Sequence, residues 1–247
     1  MNSLIYIGVD DTDNSESRGT GFVARTLAQS LKESGLVNVN CISRHQLLLD
    51  PQIPYTSHNS SACIVGEIIG NEYRIQDTCS DFILEHAAVG SDAGLCIVLE
   101  ENITDPMVDF GKRAKHEILT TTETRKLARK FHFFLAGLTG EKIGIIGALA
   151  AVGLRFEGND GRLLWLERLR EVQGIFSARK YKELVPVDQV VDLNGKLLHP
   201  EATVKITEWC RPVVRNKKIV LFAKKTEGNE NYEYQSASKE YIKHISE

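Results

Sequence analysis

The chain has 247 residues, a formal net charge of −3 and a pI of about 6.2. It therefore lacks the global basic bias that advertises nucleic acid, and any RNA role must rest on a local patch. Its 42% hydrophobic and 26% charged residues fit a folded protein of one large domain or two small ones with a substantial core. The five cysteines (Cys41, Cys63, Cys79, Cys96, Cys210) are scattered without a CxxC pair, which argues against a zinc ribbon and for reduced, buried thiols. With no basic leader and no apolar run of about 18 residues, the chain reads as soluble and cytoplasmic, without a membrane partner.

Leu4 to Val9 is a short apolar run with β-branched residues and is expected to form a buried strand. It ends in Asp10-Asp11-Thr12-Asp13, three carboxylates in four positions, and a polar loop follows to Gly19. A helix is expected from Gly21 to Ser34, with Gly35 as its stop. Val37 to Leu49 reads as a strand interrupted at Arg44-His45. Pro51 and Pro54 then force turn geometry ahead of a polar loop, Tyr55 to Ser61. Ala62–Ile69, Asn71–Ala87 and Leu95–Leu99 read as strand, helix and strand, the half of a ferredoxin-like module. A helix is expected around Met107 to Leu119. Thr120, with Glu123 three residues on, starts a further helix whose face is Leu127, Phe131, Phe134 and Leu135, ending at Gly137.

Gly140 to Gly153 is a small-residue helix carrying four glycines. Gly158 to Arg162 is a tight turn. Between Arg162 and Ser177 the pattern is mixed and gives no assignment. Short strands are expected around Asn194-Gly195, and a hairpin from Val213-Val214 and Ile219–Ala223 turns at Asn216-Lys217. The last twenty residues read as a surface helix or a frayed tail.

Three stretches carry chemistry. Carboxylates crowded at the end of a strand raise one another's pKa unless a cation intervenes, and one or two carboxylates completed by water and phosphate oxygens suit Mg²⁺. Asp10, Asp11 and Asp13 are thus metal candidates. The alternative is a solvated turn in which Asp13 or Ser17 caps the next helix. The glycines at 144 and 147 let helix amides approach a phosphate, with Lys142 adding charge; the alternative is a helix that needs small residues to pass another element. The loop around Tyr55, Ser57, His58 and Asn59 offers an aromatic ring and hydrogen-bonding groups to a base or a small amine, although loops are polar by default. Trp209 with Arg211 is a candidate stacking platform, or simply core.

Gly8-Val9-Asp10-Asp11-Thr12-Asp13, then Ile53-Pro54-Tyr55, then Ile145-Ile146-Gly147-Ala148-Leu149-Ala150-Ala151-Val152-Gly153 resemble, in the same order, the archaeal tRNA-isoleucine 2-agmatinylcytidine synthetase family. The resemblance covers most of residues 4 to 155 and runs more loosely to about 225. It implies an α+β chain with a kinase-like α/β domain (1–61 and 120–180) and a ferredoxin-like domain (62–119, completed by strands in 181–247). It implies ATP and Mg as cofactors, activation of a wobble cytidine in tRNA, displacement by agmatine, and AMP as the nucleotide product.

On that basis Asp10, Asp11 and Thr20 are expected to be catalytic. Asp13, Gly19, Gly21, Lys142, Gly144, Gly147 and Ala148 are expected to bind nucleotide. Tyr55, Ser57, His58 and Asn59 are expected to bind substrate. The family's OB-fold and zinc ribbon have no counterpart here. Phe22 stands where the family places a hydroxyl, and the basic run after Pro-Tyr in the family is Thr56 to Ser61 in this chain. The leading reading is an ATP- and Mg-dependent phosphotransfer or ligase enzyme whose acceptor is a small molecule, a free nucleotide or RNA. A tRNA modifier with separate RNA-binding subunits and a non-catalytic nucleotide-binding module are the alternatives.

Overall fold

The structure is a computed structural model that describes residues 3–55, 58–228 and 231–246. It is a mixed α+β protein, as the resemblance implies. It divides into two compact units, Met1–Glu157 and Gly158–Glu247. The boundary between the two units falls between Glu157 and Gly158.

In the first unit β1 (Leu4–Asp10), α1 (Thr20–Glu33), β2 (Val37–Gln46), β3 (Ser60–Ile68), α2 (Glu72–His86) and β4 (Gly94–Leu99) follow in order. A short 3₁₀ turn, then α3 (Asp105–Arg113), α4 (Thr121–Phe131), β5 (Phe134–Gly137) and α5 (Ile145–Glu157) complete it. The strands pair in the order β5-β4-β1-β3-β2. Both neighbours of β1 run antiparallel to it, with Gly8 opposite Cys63 on one side and Cys96 on the other. β3, α2 and β4 therefore form a split strand–helix–strand unit, and the strand that carries the aspartates fills the gap between its two strands. β1 is buried through Val9 because it is central.

Helix α5 lies against this strand. Its residues Ile145 and Gly147 to Arg155 are buried, as expected of a helix apolar on all sides. A Cβ added at Gly8 would lie 1.9 Å from the Ala148 carbonyl oxygen, and one added at Gly94 would lie 2.1 Å from the Gly144 carbonyl carbon. The glycines on strand and helix thus set how closely the two backbones approach. Helix α3 packs on the far side of α5, where a Cβ at Gly153 would meet the Met107 carbonyl oxygen at 2.2 Å.

Two helices end earlier than their periodicity predicts. The one around Met107 stops at Arg113. The one capped by Thr120, whose hydroxyl accepts from the Glu123 amide at 3.2 Å, stops at Phe131. There His132 adopts φ 55°, and Phe134–Gly137 pairs with β4 as an edge strand. The Phe134 and Leu135 that look like a helix face are strand residues; a run of consecutive apolar residues fits both periods, and pairing with β4 decides it.

The second unit holds β6 (Arg162–Leu166), β7 (Gly174–Ser177), α6 (Ala178–Leu184), β8 (Gln189–Asp192), β9 (Thr203–Ile206), β10 (Val213–Arg215), β11 (Lys218–Lys225), β12 (Tyr234–Ser236) and α7 (Lys239–Ser246). Its strands run β6-β10-β11-β12-β9-β7, with β8 parallel to β11. The β10–β11 hairpin turns at Asn216-Lys217, both at positive φ, as expected. α7 closes over a core of Val191, Val213, Val220, Phe222, Ala237 and Ile242, so the polar C-terminal stretch is a docked helix preceded by a short strand. The unassigned stretch 162–177 supplies β6 and β7. Among the described residues no helix is long and apolar enough to cross a membrane.

Candidate functional site

β1 delivers Asp10 at its last position, and the chain turns at once because Asp11 takes φ 53°. Left-handed backbone is tolerated by aspartate and uncommon elsewhere, and it swings Asp11 and Asp13 out of the strand's alternation. The Asp10 carboxylate lies against the first turn of α5: a Cβ at Gly147 would sit 1.8 Å from Asp10 Oδ2. The peptide dipoles at that end of the helix favour a negative charge. Burial, then the neighbouring Asp11 and Asp13 charges, push the Asp10 pKa well above the ordinary carboxylate value. Burial, then Asp92 and Asp13, push Asp11 up to about 6.

Asp13 is used differently. Its Oδ1 accepts from the Thr20 hydroxyl at 2.6 Å and from the Thr20 amide at 3.2 Å, the first N–H of α1. The Thr20 hydroxyl in turn accepts from the Thr12 amide at 3.1 Å and lies 3.2 Å from the Thr12 hydroxyl. The capped turn read from the sequence is present, with Asp13 as its acceptor; the Ser17 hydroxyl accepts from the Asn14 amide instead. Replacing Thr20 by valine should cost about 1–3 kcal/mol in urea unfolding, since the buried Thr12 amide and the Asp13 carboxylate lose a partner, while serine should retain most of the stability.

Asp92, at the turn before β4, organises the entry to α5. Its Oδ1 accepts from the Lys142 amide at 3.2 Å and also from the Glu141 amide, and its carbonyl accepts from the Gly144 amide at 2.9 Å. Thr139 ties the same corner, donating to the Ser91 carbonyl at 2.7 Å and accepting from the Ala93 amide at 2.8 Å. Neither Asp92 nor Thr139 belongs to a motif that the sequence alone singles out. The only available signal was the aspartate placed just before a strand.

A cavity of about 350 Å³ opens beside the aspartates. Asp10, Asp11, Asp13, Gly144 and Gly147 form one wall, and Tyr55, His58 and Asn59 another. Leu47, Ile53, Pro54, Ile118, Leu119, Ile143 and Ile146 supply an apolar lining, with the carboxylates of Glu117 and Glu141 among them. This apolar wall comes from loops far apart in sequence and carries no motif. Glu117 is held by Arg113 at 2.8 Å, and Arg113 also grips Glu123 at 2.6 Å. Asn59 is a frame residue as well as a wall: its side-chain amide donates to the Leu48 carbonyl at 2.7 Å, and its carbonyl accepts from Leu47 and Gln46.

Several expected residues lie off the cavity. Thr20 is buried in the Asp13 network and does not line it. Lys142 is exposed, turned back over Gly137 at φ 67°. Ala148 is fully buried against Gly8. Gly19 and Gly21 flank the start of α1, outside the lining. Ser57 lies outside the described residues. Phe22, at the place of the expected hydroxyl, carries the Arg18 guanidinium 3.7 Å above its ring.

Asp10, Asp11 and Asp13 were expected together as metal ligands. Among the described residues no three His, Cys, Asp or Glu side chains are grouped to hold a metal ion, and Asp13 Oδ1 is engaged by the Thr20 hydroxyl and amide. Asp10 and Asp11 remain at the cavity with raised pKa values. Two carboxylates short of a neutralising charge suit a hard cation that completes its shell with water and phosphate.

Fold and site together define a mixed α+β protein with an acidic, partly apolar pocket of ligand-binding size at the end of a central strand. No family model matches the chain. It is 27% identical over 213 residues to the isoleucine-tRNA 2-agmatinylcytidine synthetase TiaS of Archaeoglobus fulgidus, covering 85% of this chain and 48% of the relative. A crystal structure of TiaS in complex with its tRNA and ATP matches 61% of this chain and 36% of that one with 26% identity and a TM-score of 0.53. The complex of TiaS with tRNA, AMPCPP and agmatine matches 98% of this chain and 55% of that one at 21% identity and a TM-score of 0.56, a likeness of fold. These matches bear out the resemblance to the tRNA-isoleucine 2-agmatinylcytidine synthetase family. The chain spans about half the length of the curated relatives it matches.

Proposed function

We propose that the chain is an ATP-dependent enzyme of tRNA modification, with the carboxylate pocket of the first unit as its phosphotransfer or ligase site. The observation that carries the reading is the seating of Asp10 against Gly147. It joins two of the three segments that carry the family resemblance into one wall of one cavity. ATP and tRNA occur together in a solved complex of a relative that is 26% identical over the matched region.

In this reading the phosphates lie in the cavity beside Gly144 and Gly147, next to the Asp10 carboxylate that occupies the start of α5. Asp10 and Asp11 would hold Mg²⁺, which would supply neutralising charge for the phosphates. Asp13 keeps the loop and α1 in register through Thr20. The apolar wall with Glu117 and Glu141 takes the acceptor, and these carboxylates favour an amine. Tyr55, with part of its ring exposed at the cavity mouth, takes the flat face of a base. Because Thr20 is buried and hydrogen-bonded, it positions Asp13 and does not meet the ligand.

Isothermal titration with ATP in the presence and absence of Mg²⁺ tests the reading. Saturable heat that requires the metal and disappears in the Asp10→Asn, Asp11→Asn double variant is expected. No heat from the wild-type protein at millimolar nucleotide would remove it. Product analysis then separates AMP-forming from ADP-forming chemistry.

A further inference from the structure

The second unit gathers three arginines that the carboxylate pocket does not use. Arg162 opens β6 and is paired across the sheet with Val213 of β10. The next residue, Leu163, donates its amide to the Pro212 carbonyl at 2.8 Å, which brings the Arg211-Pro212 segment alongside β6. Arg170, just past the end of β6, folds back so that its Nη2 donates to the Leu164 carbonyl at 3.3 Å. Arg162 is 9% exposed and within 3.5 Å of the Ser246 hydroxyl, Arg211 is half-buried, and Arg170 is exposed.

Arg211 is set on a rigid base. Its Nη1 donates to the Cys210 carbonyl at 2.7 Å, and its guanidinium lies 5.5 Å from the centre of the Trp209 ring. Trp209 packs in turn on the core under α7. Cys210 is buried, with its sulfur 3.7 Å from the Tyr181 hydroxyl. The charges acting on Arg211 include those of Arg170 and Arg162, and burial together with these like charges lowers its pKa. The half-buried Arg211 guanidinium and the exposed Arg170 guanidinium near it offer two positive groups to one anion. A planar guanidinium fixed by an aromatic face and a backbone carbonyl is suited to forked bonding to phosphate oxygens.

We infer that Arg170 and Arg211, with Arg162 behind them and Trp209 orienting Arg211, form a phosphate-binding site in the second unit, separate from the carboxylate pocket. The phosphate belongs either to a small phosphorylated compound or to the backbone of a single-stranded RNA. Both present the same oxygens to the guanidinium forks.

Binding of inorganic phosphate and of AMP is followed by calorimetry, and binding of a fluorescent 20-nucleotide RNA by anisotropy across a salt series. The full chain is compared with Arg170→Gln, Arg211→Gln and Arg211→Lys. The exposed Arg170 reports even where Arg211→Gln fails to fold, and Arg211→Lys keeps the charge while removing the fork. Lys126→Gln with Lys130→Gln, on the exposed face of α4, controls for general charge. The expected result is a loss of about tenfold or more in affinity for at least one probe in Arg170→Gln and Arg211→Lys, with little change in the α4 variant. If RNA is the probe affected, its salt slope should fall by about one per lost contact. Phosphate or AMP alone affected identifies a small ligand; RNA alone affected identifies a backbone contact. Wild-type protein that binds no probe, arginine variants that bind all probes as wild type does, or equal losses in the α4 variant would overturn the inference. Mg-dependent ATP heat measured on the same samples keeps the two sites apart, since either can fail while the other persists.

Discussion

Asp11→Asn is expected to make the ligand-free protein more stable at pH 7 while removing the Mg-dependent ATP binding proposed for it. Burial and the Asp92 and Asp13 charges raise Asp11 to about 6 in the folded chain, above the value of about 3.9 for an unperturbed aspartate. A carboxyl group whose folded pKa is raised binds its proton more tightly when folded. Its stabilising contribution is complete below about pH 4 and is lost as pH rises through about 6. At pH 7 the wild-type chain carries that deficit and the asparagine variant does not. After allowance for solvent screening of a partly exposed group, the difference is about 1 kcal/mol, or about 2–4 °C in melting temperature. Melting curves from pH 4 to pH 8 should show the two proteins converging at the acid end, separating as pH rises from about 4 to about 6, and keeping a constant gap above that. A variant less stable than wild type at pH 7 would mean that Asp11 is held by favourable contacts and is not poised for a cation. Gain of stability with loss of ligand binding is the expected signature of charge held in place for function.

Gly147→Ala should have the largest effect on the site itself. The added methyl falls 1.8 Å from Asp10 Oδ2, so the carboxylate must leave its seat at the start of α5. ATP affinity should fall at least tenfold, with a stability loss of about 1–3 kcal/mol from overpacking. Gly8→Ala separates the two consequences. Its methyl would meet the Ala148 carbonyl oxygen at 1.9 Å, backbone against backbone, so chemical denaturation should show the larger loss of stability. Retention of wild-type ATP affinity by Gly147→Ala would show that the Asp10 seat has no part in nucleotide binding.

The carboxylate loop was legible because three aspartates at a strand end are unusual chemistry in any fold. The glycine helix was legible as two alternatives, and the structure realises the packing one directly: small residues in α5 let it lie on β1 and β4. That same closeness places Asp10 at the helix start. Asp92 and Thr139 were not legible, since a lone aspartate in a glycine-flanked turn looks like any other turn. Thr20 was misplaced because a hydroxyl beside a glycine loop reads as a phosphate ligand, whereas burial turns it inward to Asp13. Phe134 and Leu135 fit a helix face by spacing, and only strand pairing with β4 shows otherwise. The arginine cluster escaped notice because residues 162, 170 and 211 meet through sheet register and not through a motif.

The contacts of Gly8, Gly94 and Gly147 also fix when the pocket comes into being. Those of Gly8 and Gly147 join the first strand to a helix well over a hundred residues later in the chain, and that of Gly94 joins β4 to the same helix, so the aspartates gain their wall only after α5 has docked. As the chain leaves the ribosome it exposes the acidic loop early and completes the cavity late, once residues up to Glu157 are free to pack. Stalled chains released at successive lengths should show no Mg-dependent nucleotide protection until that point and then acquire it abruptly. Ligand competence would thereby report the folding of the first unit during synthesis.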